Sequence, residues 1–151
     1  MTILRRYWPL LFPLTYLAHI AEEYYGGFPE WASHHLGFDL TTAEFLELNT
    51  IAWTIMFLST VLVIRFSWLA WLTVSFATAT LINGCAHAIG SAITLTYSPG
   101  VISGVSLWIP LGIVTLYRYR PHISRKVFWA SVGVGIALHL AVTVLARAAP
   151  V

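Results

Sequence analysis

His19-Ile20-Ala21-Glu22-Glu23 sets an imidazole and two carboxylates at i, i+3 and i+4. On a helix these three positions share one face. Imidazole nitrogen and carboxylate oxygen are ligands for Zn²⁺ or non-haem Fe, and the same groups can exchange protons as general acid and base. Asn83 and His87 repeat the i,i+4 spacing, Glu44 and Glu47 add an i,i+3 pair, and His139 is a single imidazole in the last apolar stretch. All are embedded in apolar sequence. Ionisable groups at bilayer depth cost a few kcal/mol each, so their presence there is a functional hypothesis.

The elements that must position them follow from composition. The chain has 151 residues, 58% hydrophobic, 15% aromatic and only 9% charged, which is too little polar surface to cover a soluble globule. The expected fold is all-α: one transmembrane helical domain, residues 1–151. A net charge of +2 with the basic residues confined to loops does not point to nucleic acid, and a lone cysteine, Cys85, excludes an intrachain disulfide. Crossing a hydrocarbon core of about 30 Å takes roughly 20 helical residues. The sequence divides into five such lengths: Tyr7 to Tyr25, Thr42 to Phe66, Ser67 to Ser91, Gly100 to Tyr117, and Lys126 to Ala146. Gly26-Gly27 with Pro29, the turn Tyr97-Ser98-Pro99-Gly100, and the polar loop Arg118 to Arg125 separate them, and a tight break falls at Arg65-Phe66-Ser67. The basic then apolar N-terminus resembles a signal peptide, but no small-residue cleavage site follows, and it is expected to be retained.

Five spans put the termini on opposite sides. Of the 8 Lys and Arg residues, Arg5, Arg6, Arg65, Arg118, Arg120, Arg125 and Lys126 fall on one side and Arg147 on the other. The positive-inside rule then predicts a cytoplasmic N-terminus and an outside C-terminus, in a bacterial inner (plasma) membrane. In that frame His19, Glu22, Glu23, Glu44, Glu47, Asn83, His87 and His139 all lie in the outer half. Phe28 to Leu40, with Trp31, His34 and His35, reads as an aromatic anchor along the outer interface.

The chain resembles the HXXEE family of small membrane proteins on three motifs in order: His19-Ile-Ala-Glu22-Glu23, Asn83-Gly-Cys-Ala-His87 and Tyr97-Ser-Pro99-Gly100. The resemblance implies a multi-span membrane protein, suspected to be enzymatic, in which His19, Glu22, Glu23, Asn83, His87 and Tyr97 belong to one site. It names no substrate.

Three functions remain open at this stage. The first is a metal-dependent membrane hydrolase or oxidoreductase holding Zn or Fe on His19, Glu22, Glu23, Glu47, His87 and His139, with Glu22, Glu23, Asn83 and Tyr97 as catalytic groups. Its substrate is expected to be a hydrophobic, lipid-like or isoprenoid-like molecule drawn from the membrane lipid. The second is a metal-free acid-base isomerase or cyclase using the paired Glu residues, with rings such as Trp8, Tyr16, Tyr24, Trp53, Phe57 and Trp108 facing a cation. The third is a small-molecule binding or proton-coupled transport protein. Whether the chain forms a homo-oligomer stays open. Gly100 and Gly104, a small-xxx-small pair extended by Gly112, read as close helix packing, and Cys85 as a small packing residue.

Overall fold

In the computed structural model, residues 6–37 and 39–148 are described. Arg5 and Phe38 lie outside these residues. All regular structure among them is helical. A single 3-10 turn, Trp8–Leu10, leads into α1 (Leu11–Gly26). A short α2 (Phe28–Leu36) follows, then α3 (Thr42–Arg65), α4 (Ser67–Thr94), α5 (Val101–His122) and α6 (Arg125–Ala148).

Four of these helices, α3 to α6, are long and apolar enough to cross a membrane, not the five expected. The expected first span is the exception. Its first residues are spent on the 3-10 turn, and Gly27, at φ 73, stops it by the αL route open to glycine. The remaining 16 residues of α1 rise only about 24 Å, short of the ~30 Å core. The tight break at Arg65-Phe66-Ser67 is real: Phe66 takes extended backbone (φ −127, ψ 102), and α4 restarts with the 3-10 turn Ser67–Ala70.

Apolar burial drives little association between helices already in lipid, so close packing and interhelical hydrogen bonds must hold the bundle. α4 is its centre, packed chiefly on α6 and α5. Small residues make this close approach feasible. A Cβ on Gly84 would stand 2.7 Å from the Gly104 carbonyl oxygen, and one on Gly112 2.9 Å from that of Ala77. Ser75 Oγ donates across to Ser131 O at 2.9 Å.

α1 lies inside the bundle, and its register is set by named bonds. Trp8 Nε1 donates to Thr115 Oγ1 (2.8 Å), Tyr16 Oη to Asn49 Oδ1 (2.9 Å) and Trp53 Nε1 to Pro13 O (2.9 Å). Phe12, Tyr16, Met56, Phe76, Ala77, Trp108 and Leu111 close the core around it. One end of the bundle therefore collects the end of α1, the start of α3, the end of α4, the start of α5 and the end of α6.

α5 is irregular where it meets α1. It begins α-helical at Val101–Ser103, widens into a π-helical turn at Gly104–Trp108 and resumes as α-helix at Ile109–Tyr119. Pro110 explains the widening, since it has no N–H to give the preceding turn and its ring crowds the carbonyl there. The turn leaves Ser103 and Trp108 both against α1.

Candidate functional site

The adjacent acids of α1 face different neighbours. Glu22 meets the first turn of α5, where backbone N–H groups have no partner within the helix. Its Oε1 accepts from Gly100 N (3.2 Å), Ile102 N (2.8 Å) and Tyr97 Oη (2.7 Å), and its Oε2 from Ser103 N (2.6 Å). A carboxylate here also meets the positive end of the helix dipole. Burial, and then the hydrogen bond to Glu22 and its charge, push the Tyr97 phenol above its ordinary value.

Glu23, one residue on, is buried between two imidazoles. Its Oε1 lies 3.5 Å from His19 Nε2 and 3.2 Å from His87 Nε2. Taken together, one ligand atom from each of His19, Glu23 and His87 lies within 4.8 Å of the others, and all three residues are buried. Ligands about 2.1 Å from a tetrahedral ion sit roughly 3.4 Å apart, so the two ion-pair distances already match a coordination edge.

The opposite nitrogen of each imidazole is held by a serine hydroxyl. Ser103 Oγ is 2.8 Å from His19 Nδ1 and Ser98 Oγ is 3.1 Å from His87 Nδ1. Ser103 Oγ also reaches Gly100 O at 3.4 Å; with its hydrogen directed there, its oxygen accepts from His19 Nδ1–H, and that tautomer leaves a lone pair on His19 Nε2. It is buried, without a hydrogen-bond partner, and faces a carboxylate oxygen. Two buried lone pairs in opposition need a cation or a proton between them.

Packing fixes the rings. Trp108 stacks on His19 with centroids 3.7 Å apart, His87 meets His19 edge to face at 5.0 Å, and Phe28 leans on His87 at 5.6 Å. Gly100 supplies the remaining space. Its φ of +98 favours glycine, and a Cβ there would come within 2.8 Å of Cε1 of both His19 and His87.

The cluster opens on a cavity of about 270 Å³, whose wall also includes Asn49, Asn83 and His139. Asn83 Oδ1 is buried without a partner, an acceptor available to a bound molecule. His139 borders the cavity but is not one of the three convergent residues. Tyr97 is turned to Glu22 and is 47% exposed, away from the imidazoles. Glu44 is taken by a capping box with Thr41, and Glu47 is exposed and walls no part of the cavity. Of the expected ligands, the structure thus brings together His19, Glu23 and His87, and it directs Glu22 and Glu47 elsewhere.

Two kinds of residue were not anticipated in the site, serines and the aromatics of α2. Ser98 sits inside the Tyr97-to-Gly100 motif and was legible there, whereas Ser103 has no local signal. Phe28 and Trp31 were read as interface anchors, but both wall the cavity, and Trp31 Nε1 bonds Thr96 Oγ1 at 3.1 Å.

A family model described as "Protein of unknown function with HXXEE motif" matches residues 10–115. No curated protein and no solved structure matches the chain.

Proposed function

We propose that this chain, which belongs to the HXXEE family, is a membrane-embedded enzyme in which His19, Glu23 and His87 hold one divalent ion, Zn²⁺ or Fe²⁺. The observation that carries this reading is the convergence of buried His19, Glu23 and His87, in which His19 Nε2 has no hydrogen-bond partner and stands 3.5 Å from Glu23 Oε1. A two-His, one-carboxylate set leaves coordination positions open on the cavity side. The ion would supply Lewis acidity toward a substrate oxygen or lower the pKa of a bound water. Ser98 and Ser103 orient the imidazoles through their far nitrogens, as outer-shell groups do in metal sites. Glu22 and Tyr97 act at one remove: they secure the segment from 97 to 103 that carries both serines and Gly100. Asn83 offers a polar contact across the cavity. The apolar helices around the site favour a hydrophobic substrate entering from the bilayer.

We also propose that the cluster lies at the outer end of the bundle. Arg6, Arg65, Arg118, Arg120, Arg125 and Lys126 all belong to the opposite end by their places in the helix order, which supports a cytoplasmic assignment for that end. Labelling of a cysteine introduced at position 122 from the outside would reverse it.

Elemental analysis of the purified full chain tests the metal reading. About one Zn or Fe per chain is expected, lost in His87→Ala and in Glu23→Gln. A stoichiometric metal retained in both variants would overturn the ligand set. A wild type that stays metal-free after reconstitution would transfer the reading to acid-base chemistry by Glu23 with His19 and His87.

A further inference from the structure

The cavity at the cluster continues into a second one of about 330 Å³, which runs between α3 and α6 over α4. Tyr16, Leu48, Asn83, Trp108, His139 and Val142 line both, so the two form one cleft. On α3 the first cavity reaches Phe45 to Asn49 and the second Leu48 to Met56; on α4 the first takes Asn83 to Gly90 and the second Phe76 to Asn83. Asn83 therefore stands where the parts meet, one helical turn from His87 and on the same face. From Leu48 to Met56 the helix rises about 12 Å, which fits within the ~15 Å of one leaflet's hydrocarbon.

The inner part is apolar and uncharged. Among the described residues that line it there is no Asp, Glu, Lys or Arg, and Ile51, Ile55 and Leu145, each more than half exposed, open it sideways toward lipid. Most polar side chains there are already bonded: Tyr16 Oη donates to Asn49 Oδ1, Thr80 Oγ1 to Phe76 O and Trp108 Nε1 to Thr15 Oγ1. Asn83 is the exception, since its Oδ1 is buried and has no hydrogen-bond partner. An orphaned buried acceptor is costly until a donor reaches it.

We propose that the cleft binds one long-chain primary alcohol, its hydroxyl donating to Asn83 Oδ1 and its alkyl tail lying along α3 and α6 in the inner part. A hydroxyl supplies the missing donor and can also accept, which suits a carboxamide. A carboxylate or an ester has no hydrogen to give. A primary amide also donates, but its second N–H would go unpaired among aliphatic side chains. An ammonium would shed its water with no counter-charge on the shared wall, since Glu23, the one carboxylate among the described residues lining the outer part, is engaged by two imidazoles. Arg147, also in the outer part, has an interaction of its own. The inference deepens the metal reading by naming a substrate class for that site, and rests on it for the chemistry; the binding rests on Asn83 and the inner walls.

The test uses hexadecanol carrying a diazirine at its tail end, photolysed with the detergent-solubilised full chain and mapped by peptide mass spectrometry. Crosslinks are expected within 51–56 of α3 or 138–145 of α6. Unlabelled hexadecanol should compete roughly tenfold better than its methyl ether, hexadecanamide, hexadecanoate or hexadecylammonium, and Asn83→Leu should erase the advantage over the ether. Ala141→Trp, which fills the inner cavity from α6, should abolish labelling while elemental analysis still finds the metal; Ala79→Trp tests the same space from α4 should that variant fail to fold. Equal competition by the ether, the amide or either charged analogue, an advantage kept in Asn83→Leu, or wild-type labelling of the folded Trp variants would overturn the inference. A metal-loaded chain without competed labelling defeats this inference alone, and competed labelling of a metal-free chain defeats the metal reading alone.

Discussion

Glu22 and Glu23 are neighbours in sequence and occupy separate environments in the fold: Glu22 accepts hydrogen bonds from the start of α5, and Glu23 lies between His19 and His87. Their removal should therefore have different effects. Glu23→Gln is expected to lose the metal and retain helicity and melting temperature to within a few degrees. Glu22→Gln weakens charge-assisted hydrogen bonds worth roughly 1.5–3 kcal/mol each, and should lower the melting temperature by several degrees while the folded fraction keeps its metal. Thermal melts paired with elemental analysis decide it. Metal loss in Glu22→Gln at full stability would contradict the division.

Gly100→Ala tests the space between the imidazoles. The added methyl group meets Cε1 of both rings at 2.8 Å and asks a non-glycine residue to hold φ +98. Backbone strain alone costs about 1–3 kcal/mol, and the displaced rings should weaken metal affinity more than tenfold. Competition with a chromophoric chelator measures the second effect. An unchanged affinity would show that the rings do not need this glycine.

The serines should matter to the metal more than to the fold. Ser103→Ala and Ser98→Ala each remove the hydroxyl at a Nδ1 atom, and loss of such outer-shell partners typically costs 10–100-fold in affinity. Circular dichroism should stay at wild-type values. If both variants bind metal as the parent does, the hydroxyls are packing groups.

Tyr97 predicts a limb of the stability profile at high pH. Burial first, and then the Glu22 hydrogen bond and charge, raise its pKa from 10.0 to about 12. A folded pKa above the unfolded one means the native state holds the proton more tightly. Its contribution is complete below about pH 10 and is lost as pH rises through about 12. The absorbance titration of wild type minus Tyr97→Phe should show one phenol ionising near that upper value. Ionisation at the ordinary tyrosine range would remove the argument for the bond to Glu22.

Much of this architecture was readable in the residues. The helical periods and the break before Ser67 emerge from apolar run lengths and turn chemistry, and Phe66 realises that break with a single extended residue. The first span was over-read because hydropathy does not distinguish the 3-10 turn at Trp8–Leu10 from helix. Depth and spacing placed His19 and His87 in one layer, but they could not choose between Glu22 and Glu23. Positions i+3 and i+4 flank the same face, and the choice is made by where the start of α5 docks. Glu44 was separable without coordinates, since Thr41-x-x-Glu44 is a capping box and a carboxylate committed to its own helix start is poorly placed to bind metal.

The serines and the glycine that shape the imidazole pair all lie between residues 98 and 103. The cluster is therefore stitched from three separate stretches of chain, 19–23, 87 and 98–103, and none of them carries it alone. Closing it costs the loop-closure entropy between α1, α4 and the start of α5, so an opening of any one of these contacts takes the whole cluster apart.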